Sequence, residues 1–257
     1  MKNIAIIAGG NSSEYEVSMK SGKNIYDEVD ETRYNKYLVV LKERDWHVEI
    51  GEEKFPVDKN DFSFTRNGEK ILFDFAYITI HGVPGENGLL QGYLDMMGVP
   101  YGCCNVLASA LTFDKHTCNT YLKSYGVNVA DSVMLIRGMT YDVNEIINEV
   151  GLPCFVKPNA EGSSFGVTKV KEAAQLEDAL KKAFALCREV LIETFIDGTE
   201  LTCGVVKAGD MDITMPIAEV VPKNEFFDFE AKYDPTKSDE IIPARISPEL
   251  TNRIKTL

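Results

Sequence analysis

Residues 3–8 (Asn-Ile-Ala-Ile-Ile-Ala) form an almost unbroken apolar run, the pattern of a parallel strand covered on both faces, and Gly9-Gly10 lets the chain turn out of the sheet. Asn11, Ser12 and Ser13 offer caps for a helix whose apolar positions are Val17, Ile25 and Val29. Residues 36–41 and 75–80 predict two further strands. The stretch between them, 46–73, predicts shorter antiparallel strands that fold back at Arg66-Asn67-Gly68-Glu69. A polar loop punctuated by glycine and proline, 81–88, follows the third strand. A helix then carries Leu89, Leu90, Tyr93, Leu94 and Met97 on one face and stops at Gly98. This is the pattern of a doubly wound α/β domain, in which ligands sit at the carboxyl ends of the strands.

From residue 105 the period changes. Two helices are expected, the second over 114–125 and closed by Gly126, then a third over 142–150 closed by Gly151. A short strand over 154–156 delivers Lys157 to a loop, and a helix over 172–186 places Ala173, Leu176, Leu180 and Phe184 on one face. A strand over 190–195 completes an α+β lobe. After Asp197-Gly198, strands over 200–206 and 211–220 are joined at Ala208-Gly209-Asp210. Residues 222–240 carry Phe226, Phe227, Phe229 and Tyr233 among charges without a period, as a loop covering a ligand would. Ser247-Pro248-Glu249 starts a helix with Leu250, Ile254 and Leu257 on one side. That apolar stripe meets no further element, so the chain is expected to stop inside its last lobe. The organisation expected is an α/β domain at 1–104, a central α+β lobe at 105–196 and the start of a C-terminal lobe at 197–257.

Composition narrows the function classes. The chain has 257 residues, a hydrophobic share of 44% and a net charge of −13, which argues against a general nucleic-acid or membrane surface. Any site for an anion must gather its positive charge locally. Cys103, Cys104, Cys118, Cys154, Cys187 and Cys203 form no C-x-x-C pair and follow no secretory signal, so reduced thiols and a cytoplasmic location are expected. His47, His81 and His116 are not spaced as ligand pairs, and no zinc or haem site is expected. No apolar run approaches the roughly 20 residues of a membrane span.

The stretch 154–167 (Cys-Phe-Val-Lys-Pro-Asn-Ala-Glu-Gly-Ser-Ser-Phe-Gly-Val) carries the candidate chemistry. A strand ends at a lysine, a small polar loop with two glycines and two serines follows, and apolar pairing resumes. Such a hairpin can fold over a polyphosphate with Lys157 as a point charge. It is equally the pattern of an exposed lysine beside a flexible hairpin tip. No G-x-x-x-x-G-K-[ST] loop occurs, and no G-x-G-x-x-G follows the first strand, which removes the commonest phosphate-binding answers.

The sequence resembles the ATP-grasp enzymes and, within them, the D-alanine-D-alanine ligase family. The resemblance spans the whole chain and rests on five motifs in order. These are residues 9–18 (Gly-Gly-Asn-Ser-Ser-Glu-Tyr-Glu-Val-Ser), His81-Gly82 with 85–92 (Gly-Glu-Asn-Gly-Leu-Leu-Gln-Gly), Asp114-Lys115, the loop at 154–167, and Glu230-Ala231-Lys232-Tyr233. The fold implied is an ATP-grasp pair of lobes behind an N-terminal Rossmann-like substrate domain. The reaction implied is ATP-dependent joining of two D-alanines through an acyl phosphate, for peptidoglycan precursor synthesis. Carried over by motif, Glu14 holds the first substrate's ammonium with Val17 against its methyl, His81 sits near its carboxylate, and Glu86 orients that histidine or a water. Lys115 and Lys157 contact the α- and β-phosphates and Lys232 the γ-phosphate. Ser164 touches the nucleotide, while Ser163 bonds to Glu14 and Tyr233. Glu193 accepts from adenine, Thr194 and Ile196 flank it, Phe195 stacks on it and Glu200 binds the ribose. The family's Mg2+ (or Mn2+) ligands and its oxyanion arginine are expected beyond residue 257, so no metal ligand is assigned and the polypeptide as given is expected to be inactive. The resemblance also implies a homodimer. Two other readings stay open: a non-catalytic nucleotide-binding module or fragment lacking the metal site, and a D-alanine-D-lactate ligase, against which Tyr233 speaks.

Overall fold

The computed structural model describes residues 1–223, 226, 232, 234 and 236–256. At its centre β1 (Lys2–Gly9) runs parallel to β2 (Tyr34–Lys42) and β7 (Phe75–Ile78), with Ile6 opposite Leu38 on one side and Tyr77 on the other. Ala5, Ile6, Ile7 and Ala8 are fully buried because helices cover both faces, which explains the lack of alternation. On one face lies α1 (Tyr15–Glu28). A Cβ on its Gly22 would fall 2.6 Å from that of Ala8. The buried hydroxyl of Ser18 accepts from the Gly9 amide (2.9 Å) and donates to the Thr79 carbonyl (2.9 Å). On the other face α2 (Leu89–Met97) adds Leu90 and Leu94 to a core with Ala5, Ile7, Val39 and Leu41.

Beyond β2 the sheet continues antiparallel through β3 (Asp45–Ile50), β4 (Glu53–Asp58), β5 (Ser63–Arg66) and β6 (Glu69–Leu72), in the order β6-β5-β4-β3-β2-β1-β7. Aromatic pairs hold this extension, among them Phe62–Phe73 at 4.9 Å and Tyr37–Phe64 at 5.2 Å between centroids. One local expectation changes. The N-cap of α1 is Glu14, with no side-chain cap bond, rather than one of the preceding Asn or Ser residues. Asn11 and Ser12 reach other loops, while Ser12 Oγ also accepts from the Glu14 amide (3.2 Å). Ser12 Oγ donates to the His81 carbonyl (2.7 Å), and Asn11 Oδ1 accepts from the Glu43 amide (2.6 Å).

The next lobe is an antiparallel sheet in the order β10 (Thr168–Val170), β9 (Cys154–Pro158), β11 (Glu189–Thr194), β8 (Ser132–Ile136). Its register sorts side chains by parity. Cys154, Val156, Val170, Val190, Ile192 and Leu135 pack under α5 (Val143–Val150) and α6 (Leu176–Leu186). Phe155, Lys157, Lys169, Leu191 and Glu193 therefore share the opposite face. Before this lobe come α3 (Val106–Phe113) and α4 (Lys115–Ser124). Asp114 caps α4, accepting from the Thr117 amide (2.8 Å).

A third sheet has the order β12 (Glu200–Thr202), β15 (Ala218–Pro222), β16 (Ser238–Ile241), beside a hairpin of β13 (Val205–Ala208) and β14 (Met211–Thr214). The two long strands expected here are each divided, at Gly204 and around Pro216, where the Met215 amide donates to the Gly204 carbonyl (2.8 Å). The hairpin turn falls at Gly209 as expected. Residues 238–240, expected as loop, pair with β15; their Ser-Asp-Glu sequence is that of a polar edge strand. The last helix, α7 (Pro248–Lys255), is capped by Ser247, which accepts from the Leu250 amide (3.2 Å).

Within this sheet the buried carboxylate of Glu219 accepts from the Arg245 amide (3.1 Å), Nε (2.9 Å) and Nη2 (2.6 Å). The Arg245 guanidinium holds the Glu219 carboxyl down to about 2, from an ordinary 4.5. A folded-state pKa below the unfolded one stabilises the fold above about pH 4.5, and the contribution is lost as the pH falls toward 2. Arg245→Met is expected to lower stability at pH 7, and its gap from wild type is expected to narrow by about pH 3. Urea unfolding at the two pH values checks this, and a gap of constant size counts against it.

Candidate active site

Lys157 lies one residue before the end of β9, on the open face of the central sheet. Across the strand pair, Lys157 lies diagonal to Glu193, and its ammonium pairs with Glu193 Oε2. Glu193 Oε1 accepts from Asn119 Nδ2 of α4 (2.9 Å). Lys115, the first residue of α4, donates from Nζ to the carbonyls of Glu161 (2.6 Å) and Asn159 (3.3 Å). Burial pushes the Lys115 pKa down, and the neighbouring Lys157 charge acts in the same direction.

What keeps the two cations together is Asn159, a fully buried side chain. Its Oδ1 accepts from the His116 amide (2.9 Å), and its Nδ2 donates to Asp114 Oδ2 (2.7 Å) and Glu189 Oε2 (3.2 Å). Its backbone amide donates to the Glu189 carbonyl (2.9 Å), and its carbonyl accepts from the Lys115 amide (3.2 Å). The start of α4 is thereby fastened to the end of β9.

The loop after Asn159 reaches the N-terminal domain. Ser163 Oγ donates to Oε1 of Glu14, a carboxylate that is 3% exposed, and His81 Nδ1 lies 3.9 Å from the same oxygen. Gly162 permits this approach, since a Cβ there would sit 2.3 Å from Glu14 Oε2. Ser163 and Ser164 both take left-handed backbone angles (φ 47° and 58°), which cost free energy in residues other than glycine and cluster at functional sites. Glu86 Oε2 accepts from the Gly82 amide (2.7 Å), so it fixes the residue after His81 rather than the imidazole. Val17 is half-buried in α1.

Between the central sheet and the third sheet lies a cavity of about 780 Å³. Lys115, Lys157, Ser163, Ser164, Phe195, Ile196, Glu200 and Lys232, named from the sequence, all line it. Burial pushes Lys232 down, with Glu200 and Glu14 opposing; burial pushes Glu200 up, with Lys232 opposing. Of the residues named for the nucleotide, Glu193 and Thr194 do not line it. Glu193 meets the cavity only through Lys157. Thr194 has the opposite parity, and its hydroxyl donates to the Val150 carbonyl (2.8 Å). Tyr233 lies outside the described residues.

Sequence reasoning missed Phe155, whose ring forms a wall with Phe195 (5.9 Å) and Phe226 (5.2 Å). Its spacing of two from Lys157 in a strand was the available signal. It also missed Asn159, Asn119 and Glu161, whose carboxyl is pushed up by burial. No local pattern marks a buried asparagine as a hub. Among the described residues no three His, Cys, Asp or Glu side chains converge as a metal site. No helix among them is long and apolar enough to cross a membrane.

A lysine-lined cleft between two antiparallel sheets, covered by a serine loop and set behind an α/β domain, defines the ATP-grasp class of ligases. Residues 3–104 match the family described as D-ala D-ala ligase N-terminus and residues 121–257 the one described as D-ala D-ala ligase C-terminus. The chain is 53% identical to a D-alanine--D-alanine ligase of Bacteroides fragilis over 257 residues, covering 100% of this chain and 79% of that protein. Among solved structures it superposes on D-alanyl-alanine synthetase A from Vibrio cholerae with a TM-score of 0.86 at 25% identity, covering 99% of this chain and 78% of that one. It also superposes on the D-alanine--D-alanine ligase from Bacillus anthracis complexed with ATP, with a TM-score of 0.74 at 26% identity, covering 100% and 75%. The chain belongs to the D-alanine-D-alanine ligase family.

Asn159→Ala deletes three side-chain hydrogen bonds and leaves the half-buried His116 amide without its acceptor. The expected loss is about 3 kcal/mol of folding stability. Chemical denaturation measures it, and a loss below about 1 kcal/mol would contradict the hub assignment.

Proposed function

We propose that this protein joins two D-alanines at the expense of ATP, with the triphosphate held against Lys115, Lys157 and Lys232. The observation that carries the reading is the bond from Ser163 to Glu14, which ties the loop of the lysine-lined lobe to a buried carboxylate of the α/β domain. One site thereby combines groups for a polyanion with an acceptor for an ammonium group. Lys115 and Lys157 serve the α- and β-phosphates and Lys232 the γ-phosphate, with Ser164 in the loop above them. The base stacks on Phe195 beside Ile196, its amino group faces the Glu193 end of the cleft, and Glu200 takes the ribose. Thr194 contributes only as a fixed neighbour of these residues.

Glu14 holds the first substrate's ammonium, with Val17 at its methyl and His81 at its carboxylate; Glu86 steadies the loop carrying His81. A carboxylate oxygen of that substrate attacks the γ-phosphorus while the bond to ADP breaks, giving an acyl phosphate. The amine of the second D-alanine, after losing a proton, attacks the acyl carbon, and the carbon–oxygen bond to phosphate breaks. The lysines contribute positioning and charge neutralisation in a partly dehydrated cleft. The described residues hold no converging set of His, Cys, Asp or Glu side chains that fits the magnesium or manganese ion that the resemblance implies. Tyr233 is proposed to complete the chain from Glu14 and Ser163. The reading includes a homodimer acting in the cytoplasm, and analytical ultracentrifugation checks the first part.

The direct test is D-alanyl-D-alanine formation by protein expressed from the complete gene, with one phosphate released per dipeptide. Dipeptide formation that does not depend on ATP, or no dipeptide with both substrates saturating, overturns the reading. Lys157→Met and Lys232→Met are each expected to weaken ATP binding at least about tenfold, or roughly 1.4 kcal/mol. Near-normal affinity in both removes the phosphate assignment.

Lys115 titrates below the ordinary lysine value of 10.5 because it is buried beside another cation. Bound phosphate favours the charged form and raises that pKa, so ATP binding takes up a proton in the range between the two values. Affinity is expected to fall as the pH rises through the lower value. Calorimetry over a pH series below 10.5 in buffers of different ionisation enthalpy reads the uptake, and Lys115→Met is expected to reduce it, the remainder coming from Lys232, which burial also pushes down.

A further inference from the structure

Lys169 is the cross-strand partner of Phe155 in the β9–β10 pair, and partners in an antiparallel pair project to the same face. It therefore stands on the open face of the central sheet. Its ammonium lies 3.8 Å from the centroid of the Phe195 ring. Phe195 leaves the end of β11 with its amide donating to the Pro153 carbonyl (3.3 Å), and its ring lines the cavity, whereas Lys169 does not. A cation over an aromatic face is held by the quadrupole of the ring, so rotation of the Phe195 ring out of its plane costs that attraction. Phe155 limits the ring from the side, at 5.9 Å and 58°.

We propose that Lys169 is a positioning residue for the nucleotide base: it holds the Phe195 ring in the plane on which a purine stacks, and so sets the preference for a base-bearing polyphosphate over a bare one. The proposal rests on the ATP reading of the same cavity. Lys115, Lys157 and Lys232 attract any polyphosphate by charge alone, and the stacking share of the preference for a nucleoside polyphosphate comes from the aromatic wall, beside the polar share of Glu193 and Glu200. Lys169 acts on that wall from behind.

Calorimetric affinities for ATP and for inorganic tripolyphosphate, which has no base, test this on wild type, Lys169→Met, Lys169→Arg, Phe195→Leu and the Lys169→Met/Phe195→Leu double variant. Thermal melting identifies variants that have not folded. Lys169→Met is expected to weaken ATP about three- to tenfold while tripolyphosphate changes less than about twofold. Lys169→Arg is expected to return ATP to within about twofold of wild type, because a guanidinium also stacks on a ring. On the Phe195→Leu background the methionine substitution is expected to add nothing. An unchanged ATP affinity in Lys169→Met, an equal loss for tripolyphosphate, or a loss that persists without Phe195 each overturns the proposal. If Lys169→Met does not fold, Lys169→Arg and Phe195→Leu still decide it: a loss of ATP affinity in the arginine variant, or none in the leucine variant, overturns it. Wild type that binds tripolyphosphate but gains nothing from the base removes the proposal alone, and wild type that binds neither removes the ATP reading with it.

Discussion

Two lysines can share a partly dehydrated site only if something other than their own preference holds them there. Asn159 supplies that constraint. Its amide side chain spends both donors and its oxygen's one observed bond on the start of α4 and the neighbouring strand, and its main chain adds the Lys115 and Glu189 bonds. Lys115 is consequently held beside Lys157 although its burial and the adjacent charge both disfavour its protonation. The repulsion is stored in the fold, where a polyanion can relieve it. For a chain with a net charge of −13, this local concentration of cations is what an anion site requires.

A second constraint joins the two halves of the site. Glu14 begins α1 in the α/β domain, and Ser163 stands in a loop of the central lobe. Their bond depends on Gly162, where a side chain would collide with the carboxylate, and on the left-handed turn at Ser163 and Ser164. The left-handed turn is what brings the Ser163 hydroxyl to the Glu14 carboxylate. A loop with these features couples the central lobe to the α/β domain, since moving it at one end displaces it at the other.

The differences from expectation have a common cause. Asn11 looks like a helix cap, but the loop after β2 comes close enough to take its side chain instead, and Ser12 divides its hydroxyl between the Glu14 amide and the loop after β7. Thr194 sits between two candidate nucleotide ligands, yet strand parity turns its hydroxyl toward Val150. Residues 238–240 carry no apolar alternation, because a solvated edge strand needs only a backbone partner. In each case the deciding partner is remote in sequence.

What the sequence by itself determined was local and periodic. The buried run of β1, the helices closed by Gly98, Gly126 and Gly151, and the lysine delivered to a glycine-serine loop follow from backbone sterics and side-chain spacing, which act within a few residues. The five motifs that resemble the ligase family were legible for the same reason. Only the tertiary structure decided which groups meet: that Glu193 neutralises Lys157, that Asn159 fastens Lys115 in place, that Arg245 closes on Glu219, and that Lys169 lies over Phe195. Contacts of this kind depend on strand register and sheet order, and those are set by the burial of whole faces rather than by any short stretch of chain.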